Sequence, residues 1–175
     1  MLLGARAISP NTLNHVSIPA KDLEQSVSFY IALFGPESCE PIPTPNFGVP
    51  VPVQWLRIGD RQIHLFVLEI PIAARYYHFG VSATDLDQLH RIYTYARERD
   101  ILDSVTYGHH IYELPGGCAQ LYVIDPAGNL VEIDYPRAAD IDETIVPDLK
   151  RIAERAQQTE ENLRSTLFLD RTAGG

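Results

Sequence analysis

The sequence is poor in cysteine, in basic residues and in long apolar runs. Two cysteines, Cys39 and Cys118, are too few for a disulfide framework or a thiolate zinc site. A net charge of −9 argues against nucleic acid or an anionic membrane as a partner, because phosphate groups are bound by clustered Lys and Arg. No apolar run is long enough to span a membrane, and residues 1–11 lack the apolar core of a signal peptide. These shortages predict a cytoplasmic protein without a disulfide.

The chain instead contains a repeat. The 16 residues that begin at His15 align without a gap with the 16 that begin at His78, and 6 positions are identical. Each copy starts with a short alternating run, which is typical of a half-buried strand. An aspartate follows in each copy, Asp22 and Asp85, and precedes a helical pattern as an N-cap residue does. A strand–helix unit is therefore predicted twice.

The remaining pattern completes two similar halves of one α+β protein. We expect an N-terminal arm at residues 1–12, a first half at 13–70 and a second half at 76–136. Helices are predicted at 22–34 and 85–99, and strands at 13–19, 53–58, 62–68, 77–83, 104–113, 118–124 and 129–135. The expected inner face of the first helix consists of Leu23, Val27, Tyr30, Ile31 and Phe34. Six prolines in residues 36–52 predict a stiff loop with at most one edge strand, beside the functional site.

The composition changes after Pro136. Apolar or small residues recur at alternating spacings of four and three from Ile145 to Thr166, which predicts a helical tail over residues 140–171. So narrow a stripe must pack against something, either the chain's own domain or a second subunit. We predict a homodimer to which this tail contributes.

Four candidate metal ligands stand at equivalent places in the two halves. His15 and His78 lie in the first strand of each half, and His64 and Glu132 lie in the last strand. Alternation puts each of them opposite apolar neighbours, so all four should converge on the concave face of the sheet. Three imidazoles and a carboxylate suit one divalent transition metal: Zn, Ni, Mn, Co or Fe. By contrast, His90 is expected to be exposed on a helix, and His109 and His110 to be solvated loop residues.

The sequence resembles the vicinal oxygen chelate superfamily, which includes glyoxalases, extradiol dioxygenases and bleomycin-resistance binding proteins. The segments that carry the resemblance are LNHV from Leu13, DLEQSVSFY from Asp22, QIHLF from Gln62, HFGV from His78 and LYVIDPAGNLVE from Leu121. It implies two βαβββ modules that form a curved, incompletely closed eight-stranded sheet around a metal. His15, His64, His78 and Glu132 match the family's four ligand places.

The resemblance and the ligand count leave three functions open. Four ligands on an octahedral ion leave two positions for vicinal substrate oxygens, which favours a glyoxalase-like lyase or isomerase with Glu132 as proton shuttle. His64 as a base beside the metal would leave three positions, which a ring-cleaving dioxygenase needs. Tyr122 matches the dioxygenase pattern, but His110 does not stand at its required spacing. The third possibility is a metal-free binding protein. The small-molecule substrate is not identified by the sequence.

Overall fold

A computed structural model of the protein describes residues 15–45, 51–68 and 76–163. The first half contains β1 (His15–Ala20), α1 (Leu23–Phe34), β2 (Cys39–Ile42), β3 (Val53–Ile58) and β4 (Arg61–Val67). The second half contains β5 (His78–Ser82), α2 (Leu86–Glu98), β6 (Ile111–Glu113), β7 (Ala119–Ile124) and β8 (Leu130–Tyr135). A 3₁₀ turn (Ala138–Asp140), β9 (Lys150–Arg151), α3 (Ile152–Arg155) and α4 (Glu160–Leu163) follow.

Each half forms one mixed sheet with the same connectivity. The first sheet has the order β1-β4-β3-β2 and the second β5-β8-β7-β6-β9. In both, the first strand pairs in parallel with the last, and the other strands of the module pair antiparallel. The expected α+β fold with two βαβββ modules is confirmed. The eight module strands are divided between two sheets that are not closed, and the second sheet gains β9.

The repeated aspartates start the two helices. The Asp22 side chain accepts a hydrogen bond from the backbone N–H of Gln25 at 2.7 Å, and the Asp85 side chain accepts one from the backbone N–H of Gln88 at 2.7 Å. Each cap satisfies a backbone donor that the first helical turn would otherwise leave unpaired. The N-cap prediction is therefore confirmed at both positions.

The two modules share one hydrophobic core, and this widens the buried face of α1. The buried residues of α1 are Ser26, Phe29, Tyr30, Leu33 and Phe34. Leu23, Val27 and Ile31 are half-buried and pack against this core, so the predicted inner face is present but wider than expected, with Ser26, Phe29 and Leu33 added to it. The cause is the second module. Phe29 meets Tyr95 of α2 edge to face, and Tyr30 donates a 2.8 Å hydrogen bond to Asp125.

The proline-rich segment contains the edge strand that was expected. β2 lies at the outer edge of the first sheet and pairs only with β3 among the described strands. Beyond it, the Thr44 hydroxyl accepts a hydrogen bond from the Trp55 amide at 2.9 Å. Residues 46–50 lie outside the described part of the chain.

The prediction of one long helix over residues 140–171 is wrong where the chain is described. Residues 141–149 form turns, and the two short helices α3 and α4 come later. Pro147 interrupts the apolar stripe, and a proline inside a helix removes a hydrogen bond and clashes with the preceding turn. Residues 164–171 lie outside the described part. No helix in the described ranges is long and apolar enough to cross a membrane.

Candidate functional site

His78 and Glu132 face each other on the second sheet. β5 and β8 are paired so that Gly80 lies opposite Glu132, which places His78 one strand period away from the carboxylate. The distance between His78 Nε2 and Glu132 Oε2 is 3.3 Å. The Glu132 side chain is 7% exposed and the His78 side chain 28% exposed, so the pair opens to solvent on the histidine side.

A backbone carbonyl fixes which nitrogen of His78 points at Glu132. His78 Nδ1 lies 2.8 Å from the Tyr76 carbonyl oxygen, which can only accept, so Nδ1 carries the hydrogen. Neutral His78 therefore turns the lone pair of Nε2 toward a carboxylate oxygen. Two acceptors at this distance attract each other only if a cation or a proton lies between them. Tyr76 itself has a φ of 79°, a left-handed conformation that is rare for a tyrosine.

A buried amide holds the other oxygen of Glu132. Gln120 Nε2 donates to Glu132 Oε1 at 2.7 Å and to Asp134 Oδ1 at 3.2 Å. Gln120 Oε1 accepts from the Tyr122 hydroxyl at 3.1 Å. Burial and the neighbouring Glu132 charge raise the pKa of Asp134 to about 7. The same two causes raise the pKa of Tyr122 well above its usual range.

The first module brings His15 and His64 together as a stack of rings. The two imidazoles are 4.2 Å apart between centroids and 16° from parallel. Trp55 covers the other side of His64 at 4.1 Å and 6°. Burial, and then the positive charge of a protonated His15, lower the pKa of His64. His64 Nε2 lies 2.9 Å from Gln62 Oε1, an acceptor, which leaves Nδ1 as the nitrogen with a lone pair.

Aromatic side chains surround the pair on the second sheet. The Tyr107 and Tyr122 rings are 4.7 Å apart, and each meets the His78 ring edge to face at 6.1 and 6.3 Å. Tyr112, Tyr122 and Leu130 form a buried cluster against which Ile152 of the C-terminal segment packs. The face of the second sheet that carries Glu132 is therefore lined with tyrosines and covered in part by Ile152 of the C-terminal segment.

The four candidate ligands thus form two pairs, one in each module. The predicted alternation is confirmed, since Ile18, Ile63, Val131 and Ile133 are buried in the core on the opposite side of their strands. Within the described ranges, however, no group of three or more His, Cys, Asp or Glu side chains lies close enough to hold a metal ion. The single four-ligand site stays a prediction.

The other histidines are placed away from these pairs, and the expectation for them is partly wrong. His90 is half-buried and lies 3.3 Å from Asp142. His110 is largely buried between Ser104, at 3.0 Å, and Asp148, at 3.5 Å. His109 bonds the Asp148 backbone carbonyl. All three fix the C-terminal segment to the second module.

Sequence reasoning missed Gln120, Asp134 and the space that Gly80 leaves for them. Asp134 stands two residues after Glu132 on the same strand, so alternation alone places both carboxyls on one face. Gln120 lies directly opposite Asp134 in the β7–β8 ladder. The signal for Asp134 was present in the sequence, whereas the pairing with Gln120 depends on a register that sequence does not reveal.

Comparisons with known proteins agree with this architecture. The family model described as Glyoxalase/Bleomycin resistance protein/Dioxygenase superfamily matches residues 12–133. A glyoxalase/bleomycin resistance protein/dioxygenase from Alicyclobacillus acidocaldarius is 25% identical with a TM-score of 0.52, over 73% of this chain and 92% of that one. A lactoylglutathione lyase from Agrobacterium tumefaciens is 24% identical with a TM-score of 0.53, over 73% and 95%.

A third similar structure carries a metal. It is a mutant of the genomically encoded fosfomycin resistance protein FosX from Listeria monocytogenes, complexed with Mn(II) and 1S,2S-dihydroxypropylphosphonic acid. It is 15% identical with a TM-score of 0.55, over 72% of this chain and 91% of that one. A search of curated proteins found no match to the sequence.

Proposed function

Because the chain belongs to the Glyoxalase/Bleomycin resistance protein/Dioxygenase superfamily, we propose that it is a metal-dependent enzyme whose small substrate binds through two vicinal oxygens. The first candidate reaction is that of a glyoxalase-like lyase or isomerase. The proposed ion is one Zn, Ni, Mn, Co or Fe per site, held by His78 and Glu132 together with His15 and His64. Members of this superfamily include a lyase, an oxidase and resistance proteins, so the reaction must be argued from the residues.

The observation that carries the proposal is the contact between His78 Nε2 and Glu132 Oε2. Nδ1 donates its hydrogen to the Tyr76 carbonyl, so Nε2 of the neutral imidazole and Oε2 of Glu132 turn their lone pairs toward each other at 3.3 Å, an arrangement that a cation bound by both would stabilise. Adjacent ligands of one ion stand about 3.0–3.4 Å apart when each bond is about 2.1 Å long. The donor types and their spacing therefore fit a divalent transition metal. The Mn(II) in a FosX structure of the same fold supports the same assignment.

The first module offers donors of the right type, but not in their final orientation. The lone pair of an imidazole nitrogen lies in the ring plane, and the His15 and His64 planes are 16° apart. Two imidazole rings stacked face to face with centroids 4.2 Å apart cannot both direct an in-plane lone pair at one ion. One ring must therefore turn, and the His64 ring is held between Trp55 and Gln62.

A bound divalent ion would stabilise the negative charge that develops on the substrate oxygens. The carboxyl pair of Glu132 and Asp134 would hold and move the proton. Asp134 shares the Gln120 amide with Glu132, and burial raises its pKa above the usual range of a carboxyl group. A buried carboxyl group held beside a ligand carboxylate in this way is placed to accept or donate a proton. This pair supports proton transfer, and hence the lyase or isomerase reaction.

A second candidate is an extradiol-type, Fe(II)-dependent ring-cleaving dioxygenase. It is favoured by the stacking of His64, which keeps this ring beside His15 with Nε2 on Gln62. With His64 off the ion, His15, His78 and Glu132 form a two-histidine, one-carboxylate set that leaves three positions for a diol and dioxygen. Tyr122, 3.1 Å from Gln120 and close to Glu132, would then lie beside the substrate.

Metal analysis of the purified protein tests the proposal. Elemental emission should find about one transition metal per chain in the wild type, and His78→Ala or Glu132→Ala, each of which removes a proposed ligand, should lower that metal content. His90→Ala is the matched control, because His90 lies on α2 beside Asp142. Wild-type protein that holds no metal, and whose melting does not change when metal is added, would instead be a metal-free binding protein.

The variant His64→Ala separates the two reactions. If His64 is a ligand, this variant should lose metal as Glu132→Ala does, which supports the lyase or isomerase. If His64 stays off the ion, the variant should retain metal, and Fe(II)-loaded protein should consume oxygen with a catechol.

We also propose a homodimer, because a second copy would offer each His78–Glu132 pair another His15–His64 pair. Sedimentation of the full chain at micromolar concentration tests that assembly.

A further inference from the structure

We infer that Gln120 is a positioning residue that sets the orientation of Glu132 toward His78. The inference rests on the proposed function, because the orientation matters for a bound metal. It concerns residues that the ligand pattern of the sequence does not contain. Gln120 lies on β7, and its side chain is buried behind the carboxylate.

The amide of Gln120 contacts both carboxyls of β8 from one nitrogen. The Nε2 group donates one hydrogen to Glu132 Oε1 at 2.7 Å and the other to Asp134 Oδ1 at 3.2 Å. Oε1 of Glu132 is thereby occupied, and Oε2 is the oxygen that faces His78 at 3.3 Å. A carboxylate bound in this way has one oxygen for the protein and one for an ion. Ligand carboxylates are commonly oriented by such outer hydrogen bonds.

Tyr122 fixes which way round the amide stands. Its hydroxyl donates to Gln120 Oε1 at 3.1 Å, so the oxygen end of the amide points at Tyr122 and the nitrogen end at the carboxyls. If the amide were reversed, three acceptor oxygens would face one another in a buried site, and this is costly. The chain of contacts Tyr122, Gln120, Glu132 therefore has one favourable orientation.

The alternative reading is that Gln120 only fills space in the core. Gln88 provides a comparison within the same chain, since its side chain is also buried and hydrogen-bonded at both ends of the amide. Its side-chain oxygen accepts a hydrogen bond from the Thr84 backbone N–H at 2.8 Å, and its side-chain nitrogen donates one to the Phe34 carbonyl at 2.9 Å. Neither of these partners belongs to a proposed ligand pair. A role in packing is common to both residues, whereas a role in orienting a ligand belongs to Gln120 alone.

The experiment measures metal affinity directly and needs no substrate. Wild type, Gln120→Leu and Gln88→Leu are stripped with a chelator and titrated with Co²⁺, and the visible absorption of the bound ion is recorded. We expect Gln120→Leu to weaken Co²⁺ binding by about 10–100-fold and to change the absorption spectrum, because Glu132 loses its fixed orientation. Gln88→Leu should lower the melting temperature and leave affinity and spectrum unchanged.

Tyr122→Phe keeps the Gln120 side-chain amide but removes the hydroxyl group that orients it. This variant replaces Gln120→Leu in the experiment if Gln120→Leu does not fold. It should shift affinity and spectrum in the same direction by a smaller factor. Unchanged Co²⁺ affinity in Gln120→Leu, or an equal loss in Gln88→Leu, would overturn the positioning role while the metal site stands. Wild type that binds no Co²⁺ would instead overturn the proposed function, and the positioning role with it.

Discussion

Gly80 and Asp134 approach each other across the β5–β8 ladder so closely that a side chain on Gly80 would press on the carboxyl group. A Cβ atom on Gly80 would stand 3.1 Å from Asp134 Oδ2 and 3.5 Å from Glu132 Oε1. The backbone of Gly80 does not have a positive φ, so its role is to leave space rather than to adopt an unusual conformation. The absence of a side chain on β5 is what admits two carboxyls on β8.

We therefore expect Gly80→Ala to disturb the carboxyl pair. The new methyl group must push Asp134 away by a few tenths of an ångström, and Glu132 shares the Gln120 amide with it. Overpacking of this kind costs about 1–3 kcal/mol in the free energy of unfolding. Metal affinity should fall about tenfold, as for other disturbed outer contacts. Ser82→Ala, at an exposed position on the same strand, is the control and should change neither quantity.

Tyr76 offers a second prediction, on stability. Its φ of 79° is strained for tyrosine, and the strain places its carbonyl against His78 Nδ1. Glycine adopts such angles without steric cost, so Tyr76→Gly should raise the free energy of unfolding by up to about 1 kcal/mol. The loss of the ring contact between Tyr76 and Tyr107 reduces this gain.

Urea unfolding measures this change. Tyr77→Gly is the matched control, because Tyr77 is 80% exposed and its φ is not positive, so glycine there gains nothing. The explanation fails if both variants shift the urea midpoint equally. Such a result would mean that the left-handed angle at Tyr76 is not a source of strain.

The sequence predicted the features that repeat or alternate. The two N-caps, Asp22 and Asp85, follow from a local hydrogen bond, and the faces of His15 and Glu132 follow from the strand period. The inner face of α1 was predicted only in part, because Tyr30 and Phe29 contact the second module and no local pattern contains that contact. The predicted helix in the tail is wrong for a different reason. The apolar spacing runs past Pro147, and a proline in the interior of a helix removes a hydrogen bond and clashes with the preceding turn.

His110 should make the stability of the protein depend on pH. Burial, and then the charge of a neighbouring histidine, hold the pKa of His110 below its usual range. A histidine with a lowered folded pKa contributes stability that is fully present above its unfolded pKa of about 6.5 and is lost as the pH falls below it. We expect the contribution of His110 to the free energy of unfolding to decrease as the pH falls below about 7.5, against the opposite contribution of Asp134, whose raised pKa of about 7 adds stability as the pH falls. The polar groups around His110 are Tyr93, Ser104, His109, Asp148 and Lys150.

The variant His110→Gln tests this assignment. Unfolding free energies are measured by urea titration at several pH values, and the value for the variant relative to that of the wild type should rise as the pH falls below about 7, because the variant has lost the unfavourable protonation of His110. Ser104→Ala is the control, since it removes a partner of His110 but no titrating group, and it should keep the wild-type slope. Some slope should remain in His110→Gln, because the pKa of His64 is lowered as well. An unchanged slope in His110→Gln would assign the pH dependence to other groups.

The last prediction concerns the C-terminal segment, which packs on its own second module in the described residues. Ile145 is 0% exposed within the main core, the Tyr93 hydroxyl bonds Asp148, and β9 adds to β6. These contacts make the described part of the segment an element of the second module.

Removing the chain after Pro136 should therefore destabilise the second module, so that truncation is not a clean test of assembly. Ile145→Ala should cost about 2–5 kcal/mol in the free energy of unfolding, as expected for a buried isoleucine that leaves a cavity. The neighbouring Val146 is 44% exposed, and Val146→Ala should stay within about 0.5 kcal/mol of wild type. Urea unfolding of the two full-length variants decides the matter. A large loss confined to Ile145→Ala assigns the segment to the core of its own chain, and equal small effects would mean that it packs elsewhere.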